Sequence, residues 1–180
     1  TLHQDVKPDN LFITTNGTLK LIDFGSATVG SLSENLTVRA GAAEYAAPEY
    51  ALGIARDGRA DQFSLAVTFY ELLTGHYPYG DNYLAAKTPN QFRKLQYTSA
   101  CKHNPHVPLW LDAALAQALS LNPEHRYPEL SEFLIDLERP NTHLTLKAKP
   151  WLEQNPLLFW KVTSVLMLVL NVILLACWLK

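Results

Sequence analysis

With 180 residues, 48% of them hydrophobic and 18% charged, the chain has the composition of a globular domain joined to something greasier. A formal net charge of −2 excludes long-range attraction to nucleic acid, so no nucleic-acid partner is expected. Cys101 and Cys177, the only cysteines, make no disulfide framework and lack the paired spacing of a zinc site, which suits a reducing compartment.

In chain order, two short apolar runs come first, Leu11 to Ile13 and Leu19 to Ile22, joined by Thr14-Thr15-Asn16-Gly17-Thr18. Asn-Gly between apolar runs signals a tight hairpin, because both residues tolerate positive φ. The hairpin returns the chain on itself and brings Asp5 and Asn10 toward Asp23. A long loop follows over residues 23–49. Helices are expected at 61–73, 83–95, 109–120 and 130–137, the third on Ala- and Leu-rich helical spacing. Residues 75–81, with Pro78 and Gly80, read as a loop whose Tyr77 and Tyr79 pack or, alternatively, touch a substrate. His103 and His106 are three apart, but Pro105 between them favours a surface loop over a metal pair.

Residues 139–156 hold Pro, Asn, Thr and Lys without a clear period and read as a linker. Residues 157–179 then read as one transmembrane helix. The uncharged run 162–179 spans about 27 Å at about 1.5 Å per residue, close to a bilayer core of about 30 Å. Leu157 to Trp160 extends it if Lys161 snorkels, and Trp160 and Trp178 stand near its ends, where interfacial aromatics are favoured. A fully buried core helix is the alternative. Arg139, Lys147, Lys149 and Lys161 precede the run and only Lys180 follows, so the positive-inside tendency keeps residues 1–138 in the cytosol. Asn171 lies mid-span and either bonds its own helix or meets a partner helix, which leaves a homo-oligomer open.

The chemistry sits near the start. Asp5 stands in His3-Gln4-Asp5-Val6-Lys7-Pro8-Asp9-Asn10, and Asp23 opens Asp23-Phe24-Gly25. Moving a phosphoryl group requires positioned metal ions, neutralised charge and an oriented hydroxyl more than covalent help. These motifs resemble the catalytic loop and the magnesium triplet of eukaryotic-type protein kinases. Gly41-Ala42-Ala43-Glu44-Tyr45-Ala46-Ala47-Pro48-Glu49 resembles the end of that family's activation segment. Asp61-Gln62-Phe63-Ser64-Leu65-Ala66-Val67 is similar to its central buried helix, and Asn122-Pro123-Glu124-His125-Arg126 to its late arginine motif. The ordered set covers residues 1–138 and is far more specific than any one triplet.

The resemblance implies a mainly α kinase-like C-lobe with a short β-hairpin, followed by the linker and the span. It implies that Asp5 is the catalytic base and that Lys7 meets the transferring phosphate of ATP, favouring Ser/Thr over Tyr. It implies that Asn10 and Asp23 hold Mg²⁺, oxygen being the ligand hard cations prefer. Glu49 and Arg126 would form a buried ion pair, and Asp61 would accept hydrogen bonds from the catalytic-loop backbone.

Two departures stand out. Gln4 occupies a position where the family usually has an arginine that binds an activation-segment phosphate. Gln4 lacks that charge, so activity is expected not to need phosphorylation there. Ala42 replaces a usual threonine whose hydroxyl bonds the base and the lysine. The glycine-rich phosphate loop, the strand lysine and its partner glutamate are not found, so the chain alone should bind ATP poorly and its central helix should lack a packing neighbour. A kinase-like lobe with a terminal span is similar to bacterial membrane-tethered Ser/Thr kinases, one subgroup of which carries a fused phosphatase. Three readings follow: a Ser/Thr kinase piece acting on protein hydroxyls, a kinase-fold binding module with little catalysis, and a membrane scaffold.

Overall fold

The structure, a computed structural model, describes residues 1–28, 43–141, Trp160, Thr163, Ser164 and Met167. Residues Thr1–Thr142 form one compact unit and His143–Lys180 a second. Among its described residues the first unit is helix-rich with one hairpin: β1 (Leu11–Ile13), β2 (Leu19–Leu21), α1 (Pro48–Leu52), α2 (Gly58–Thr74), α3 (Asn82–Ala85), α4 (Pro89–Phe92), α5 (Ala100–His103), α6 (Leu109–Ala118) and α7 (Leu130–Glu138).

The strands pair antiparallel with Leu11 opposite Leu21 and Ile13 opposite Leu19. The turn spans the five residues expected to join the runs, but Asn16 and Gly17 do not share its left-handed backbone. Thr14 N donates to Thr18 O at 2.9 Å and Gly17 N to Thr14 O at 2.9 Å, so the loop runs over residues 14–18. Within it only Gly17 takes positive φ, at 80°. Asn16 instead uses its side-chain oxygen, which accepts from Thr14 Oγ1 and from Thr18 N at 3.3 Å. Side-chain bonding of this kind is the other way Asn builds turns.

Helix α2 organises the lobe. Asp57 Oδ1 accepts from Arg59 N at 2.9 Å and caps its start, while Gly75, at φ 71°, closes its end by donating to Glu71 O at 2.7 Å. Phe63 and Tyr70 of α2, Leu115 of α6, Leu119 just after α6, and Phe133 of α7 are fully buried. The helix packs on α5, α6 and α7. The expectation that α2 lacks a packing neighbour therefore fails. Most of its buried polar groups are served: Thr68 Oγ1 donates to Ser64 O at 2.9 Å and Tyr70 OH to Thr98 O at 2.8 Å, while Gln62 donates through Nε2 to Tyr127 O at 3.3 Å and its Oε1 has no partner among the described residues. Exposed large apolar residues include Leu72 of α2 and a group on the hairpin side, Phe12, Ile13, Leu19, Ile22 and Phe24.

The helix expected over 83–95 is two short ones. Pro89 disfavours helical backbone at Thr88, and Thr88 with Gln91 forms a capping box that starts α4 afresh. Helices α1 and α5, four or five residues each, were not expected. The helix expected at 109–120 ends earlier, at Ala118, and that expected at 130–137 runs through Glu138. Among the described residues no helix is long and apolar enough to cross a membrane. The span expected at 157–179 lies outside the described residues except for Trp160, Thr163, Ser164 and Met167, which are helical.

Candidate active site

The loop from His3 to Asn10 is held from below by the first turn of α2. Asp61 accepts His3 N at 2.6 Å and Gln4 N at 2.8 Å, one on each carboxylate oxygen. This two-point grip pins Gln4 at φ 66°, a left-handed conformation uncommon for a residue with a side chain. From the other side, Leu2 and Thr28 exchange backbone bonds of 2.8 and 2.9 Å. Gln4 Nε2 donates to Thr28 Oγ1, so the amide that replaces the expected arginine ties down the early activation segment without charge.

His3 is buried, and its ring bridges the two motifs. Nδ1 accepts from Asp5 N at 3.3 Å, which leaves Nε2 as the protonated nitrogen facing Ile22 O at 3.2 Å. Its edge meets Phe24, with centroids 4.8 Å apart. Sequence reasoning quoted His3 without giving it this role; its signal was only its place in the motif.

Asp5, Lys7 and Asn10 converge. Asp5 is 6% exposed, and its Oδ2 meets Lys7 Nζ at 3.1 Å and Asn10 Nδ2 at 3.0 Å. Asn10 Nδ2 also donates to the Asp5 carbonyl at 2.7 Å. One carboxylate oxygen is therefore occupied by two donors, and Oδ1 has no partner among the described residues. The amide of Asn10 is likewise oriented: its nitrogen is spent on Asp5, and its oxygen is left over.

Asp23 joins this group through the backbone. Ile22 N donates to Asn10 O at 2.9 Å, which sets Asp23 one residue from the Asn10 main chain. Asp23 is exposed, takes φ 61°, and its Oδ1 accepts Gly25 N at 3.2 Å. A Cβ on Gly25 would stand 3.0 Å from that same oxygen, a tight contact that glycine avoids. Asn10 and Asp23 offer one amide and one carboxylate oxygen, a hard donor set that suits Mg²⁺, which usually takes one or two protein oxygens and fills its shell with water and phosphate. Among the described residues no group of three or more His, Cys, Asp or Glu side chains gathers for a metal.

The segment from Ala43 to Glu49 is anchored at several points. Glu49 pairs with Arg126, whose Nε also donates to Ser120 O at 2.8 Å. Tyr45 OH donates to Glu71 Oε2 at 2.7 Å and Tyr83 OH to Ala46 O at 2.6 Å, contacts that no local sequence pattern announced. Tyr50 lies close enough to Asp61 and Asp5 that burial first, and those charges second, push its phenol well above its ordinary range. Ala42 lies outside the described residues.

Comparison with known proteins agrees with this layout. The profile of the protein kinase domain matches residues 1–135. The serine/threonine-protein kinase PknB of Mycobacterium leprae is 35% identical over 141 residues, covering 77% of this chain and 22% of that protein. Serine/threonine-protein kinase Pkn1 of Myxococcus xanthus is 38% identical over 140 residues, covering 73% and 20%. Among solved structures, the kinase domain of Mycobacterium tuberculosis PknI superposes with a TM-score of 0.55 at 30% identity, over 77% of this chain and 46% of that one. The chain thus spans about a fifth of the length of the curated relatives it matches. The loop held by Asp61, the buried Asp5 and the Asp23-Phe24-Gly25 turn are parts of one catalytic lobe, and the chain belongs to the protein kinase domain family.

Proposed function

We propose that the chain is the catalytic-loop part of a membrane-anchored Ser/Thr protein kinase that moves the γ-phosphoryl group of ATP to protein hydroxyls. The observation that carries this reading is the asymmetry of Asp5: Oδ2 is held by Lys7 and Asn10, and Oδ1 is left to accept a hydroxyl. That oxygen orients the substrate O–H, and takes its proton as the hydroxyl oxygen bonds to phosphorus and the bond to the departing ADP oxygen breaks. Lys7, beside Asp5, supplies positive charge where the transferring group passes and keeps the carboxylate in place. Asn10 and Asp23 would hold Mg²⁺, which supplies charge neutralisation on the phosphates when bound. Lys7 favours Ser/Thr over Tyr as the acceptor, and relatives named as serine/threonine kinases support the same class.

ATP binding requires the remainder of a catalytic domain. A gap of about 470 Å³ lined by Val6, Leu11, Leu21 and Leu65, next to the exposed hairpin apolars, is where that remainder would pack. For the anchor, the uncharged run 162–179 is the support, with the lobe on the cytoplasmic face of a bacterial inner membrane. The binding-module reading is favoured by Gln4, whose neutral amide forms no phosphate pair. In the full-length protein, Asp23→Ala should abolish phosphate transfer to a serine peptide while peptide binding persists. Unchanged turnover in that variant rejects the metal assignment. Recovery of the protein in the soluble fraction after carbonate washing of membranes rejects the anchor.

A further inference from the structure

Helix α5 ends on His103, whose ring stacks on His76 in the turn that follows α2. The centroids are 4.0 Å apart and the rings lie 16° from parallel. His76 is set from its own side: Nδ1 donates to Thr74 O at 2.8 Å, and the backbone N donates to Thr74 Oγ1 at 3.1 Å. Asn104, next to His103, donates through Nδ2 to Leu73 O at 2.9 Å and fastens α5 to the last turn of α2. Beyond the turn, Thr98 N donates to Pro78 O at 2.8 Å. Between these two ties, the ring stack holds residues 74–77 against α5.

The charges around the stack are one-sided. Lys102 of α5 and His106 of the following loop are bases. The carboxylates of the packed helices are engaged elsewhere: Glu71 of α2 accepts Tyr45 OH, and Asp112 of α6 accepts Tyr97 OH, Ser99 Oγ and Ala100 N. Burial first, and Asp112 second, push the Cys101 thiol up, so it stays neutral. Desolvation first, then the charges of His76 and Lys102, lower His103 below the ordinary imidazole value. Neutral imidazoles stack well, whereas two cations in face contact with no acid beside them repel.

We propose that the His76–His103 stack is an acid-opened clasp that, when closed, holds Tyr77 against Tyr45 of the activation segment. The connection is one residue long. Tyr77 follows His76, and its ring stands edge-on to Tyr45 with centroids 5.9 Å apart. A freed His103 takes up its proton near about pH 6.5, the stacked one only at lower pH, so the open form binds more protons in that window. The closed form is therefore fully favoured above about pH 6.5 and is lost as pH falls below it. The ties at Asn104 and Pro78 hold no titrating group, which confines the movement to residues 74–77 and to what Tyr77 touches. The clasp goes beyond the transferase reading and does not depend on it.

The test is hydrogen–deuterium exchange of the full-length protein at about pH 7.5 and about pH 5.5, either side of the ordinary histidine value, with rates corrected for the intrinsic effect of pH. Protection over residues 74–77 and 43–47 should be present at the higher pH and lost together at the lower, while that of α2 is kept. His103→Phe keeps a flat ring that takes no proton, and should hold both segments protected at both pH values. His103→Ala should leave both open at both. Equal protection of the parent protein at the two pH values overturns the proposal. So does an acid loss that persists in His103→Phe, a loss confined to residues 74–77, or parent-like protection in His103→Ala.

Discussion

Glu49 and Arg126, 77 residues apart in sequence, meet in a two-point ion pair with N–O distances of 2.7 and 2.9 Å. Both side chains are buried, at 4% and 0% exposure. Arg126 also donates to Arg59 O at 2.8 Å and lies 4.8 Å over the Phe63 ring. The pair therefore ties the start of α1 to the entry of α2 and the loop before α7. Its worth lies in what its loss leaves behind. Glu49→Ala strands a guanidinium in the core, and breaking one partner of a buried pair costs about 3–5 kcal/mol. Urea unfolding of the variant should show a loss of that size; a loss under about 1 kcal/mol contradicts the assignment.

Gly25 offers a way to move Asp23 without changing it. Its added Cβ would lie 3.0 Å from Asp23 Oδ1, so in Gly25→Ala the carboxylate gives way slightly and its bond to Gly25 N is disturbed. Misplacement of about 1 Å at a reacting centre costs up to about 100-fold in rate. The variant of the full-length protein should fall by about tenfold or more in turnover, with its melting temperature close to that of the parent. An unaltered rate means the position of Asp23 does not matter to transfer.

The tyrosines set the alkaline limit of the fold. Burial pushes Tyr79, Tyr83 and Tyr97 well above the ordinary phenol range, Asp112 adding to it at Tyr97, and pushes Tyr70 up to about 12. An unfolded phenol ionises near about pH 10. Above that pH the unfolded chain has released protons that the folded chain still holds, so stability is fully present below about pH 10 and declines as pH rises past it. Tyrosinate absorbance should therefore rise late, together with the loss of helical circular dichroism. Absorbance rising near pH 10 in a chain that keeps its helix signal contradicts the burial argument.

The parts of the site that are local were legible in the sequence. Asp5, Lys7 and Asn10 lie within six residues, and a rigid short loop forces them together. The Asn-Gly turn announced a hairpin, although the turn uses Asn16 through its side chain rather than its backbone. Helix α2 was expected at 61–73 because Asp61 to Val67 resembles the family's central buried helix, and it runs Gly58–Thr74. Residues 83–95 were misread because Tyr83, Leu84, Phe92 and Leu95 have helical spacing, while Thr88-Pro89 with Gln91 marks a restart that the spacing hides. Helix α5 is too short to show a period. The ion pair of Glu49 and the stack of His76 on His103 depend on residues dozens of positions apart, and only the fold brings such residues together. Tyr45 and Glu71 illustrate the same limit: nothing near either residue signals the other.

The most direct test is the rate of Asp5→Asn in the full-length protein. The amide keeps the size of the side chain and a carbonyl oxygen for the Asn10 and Lys7 contacts, but it is a far weaker proton acceptor. Turnover on a serine peptide should drop by about 100- to 10,000-fold, the usual worth of a positioned general base, with ATP affinity and melting temperature little changed. Turnover equal to that of the parent protein would contradict the role assigned to Asp5 and with it the transferase.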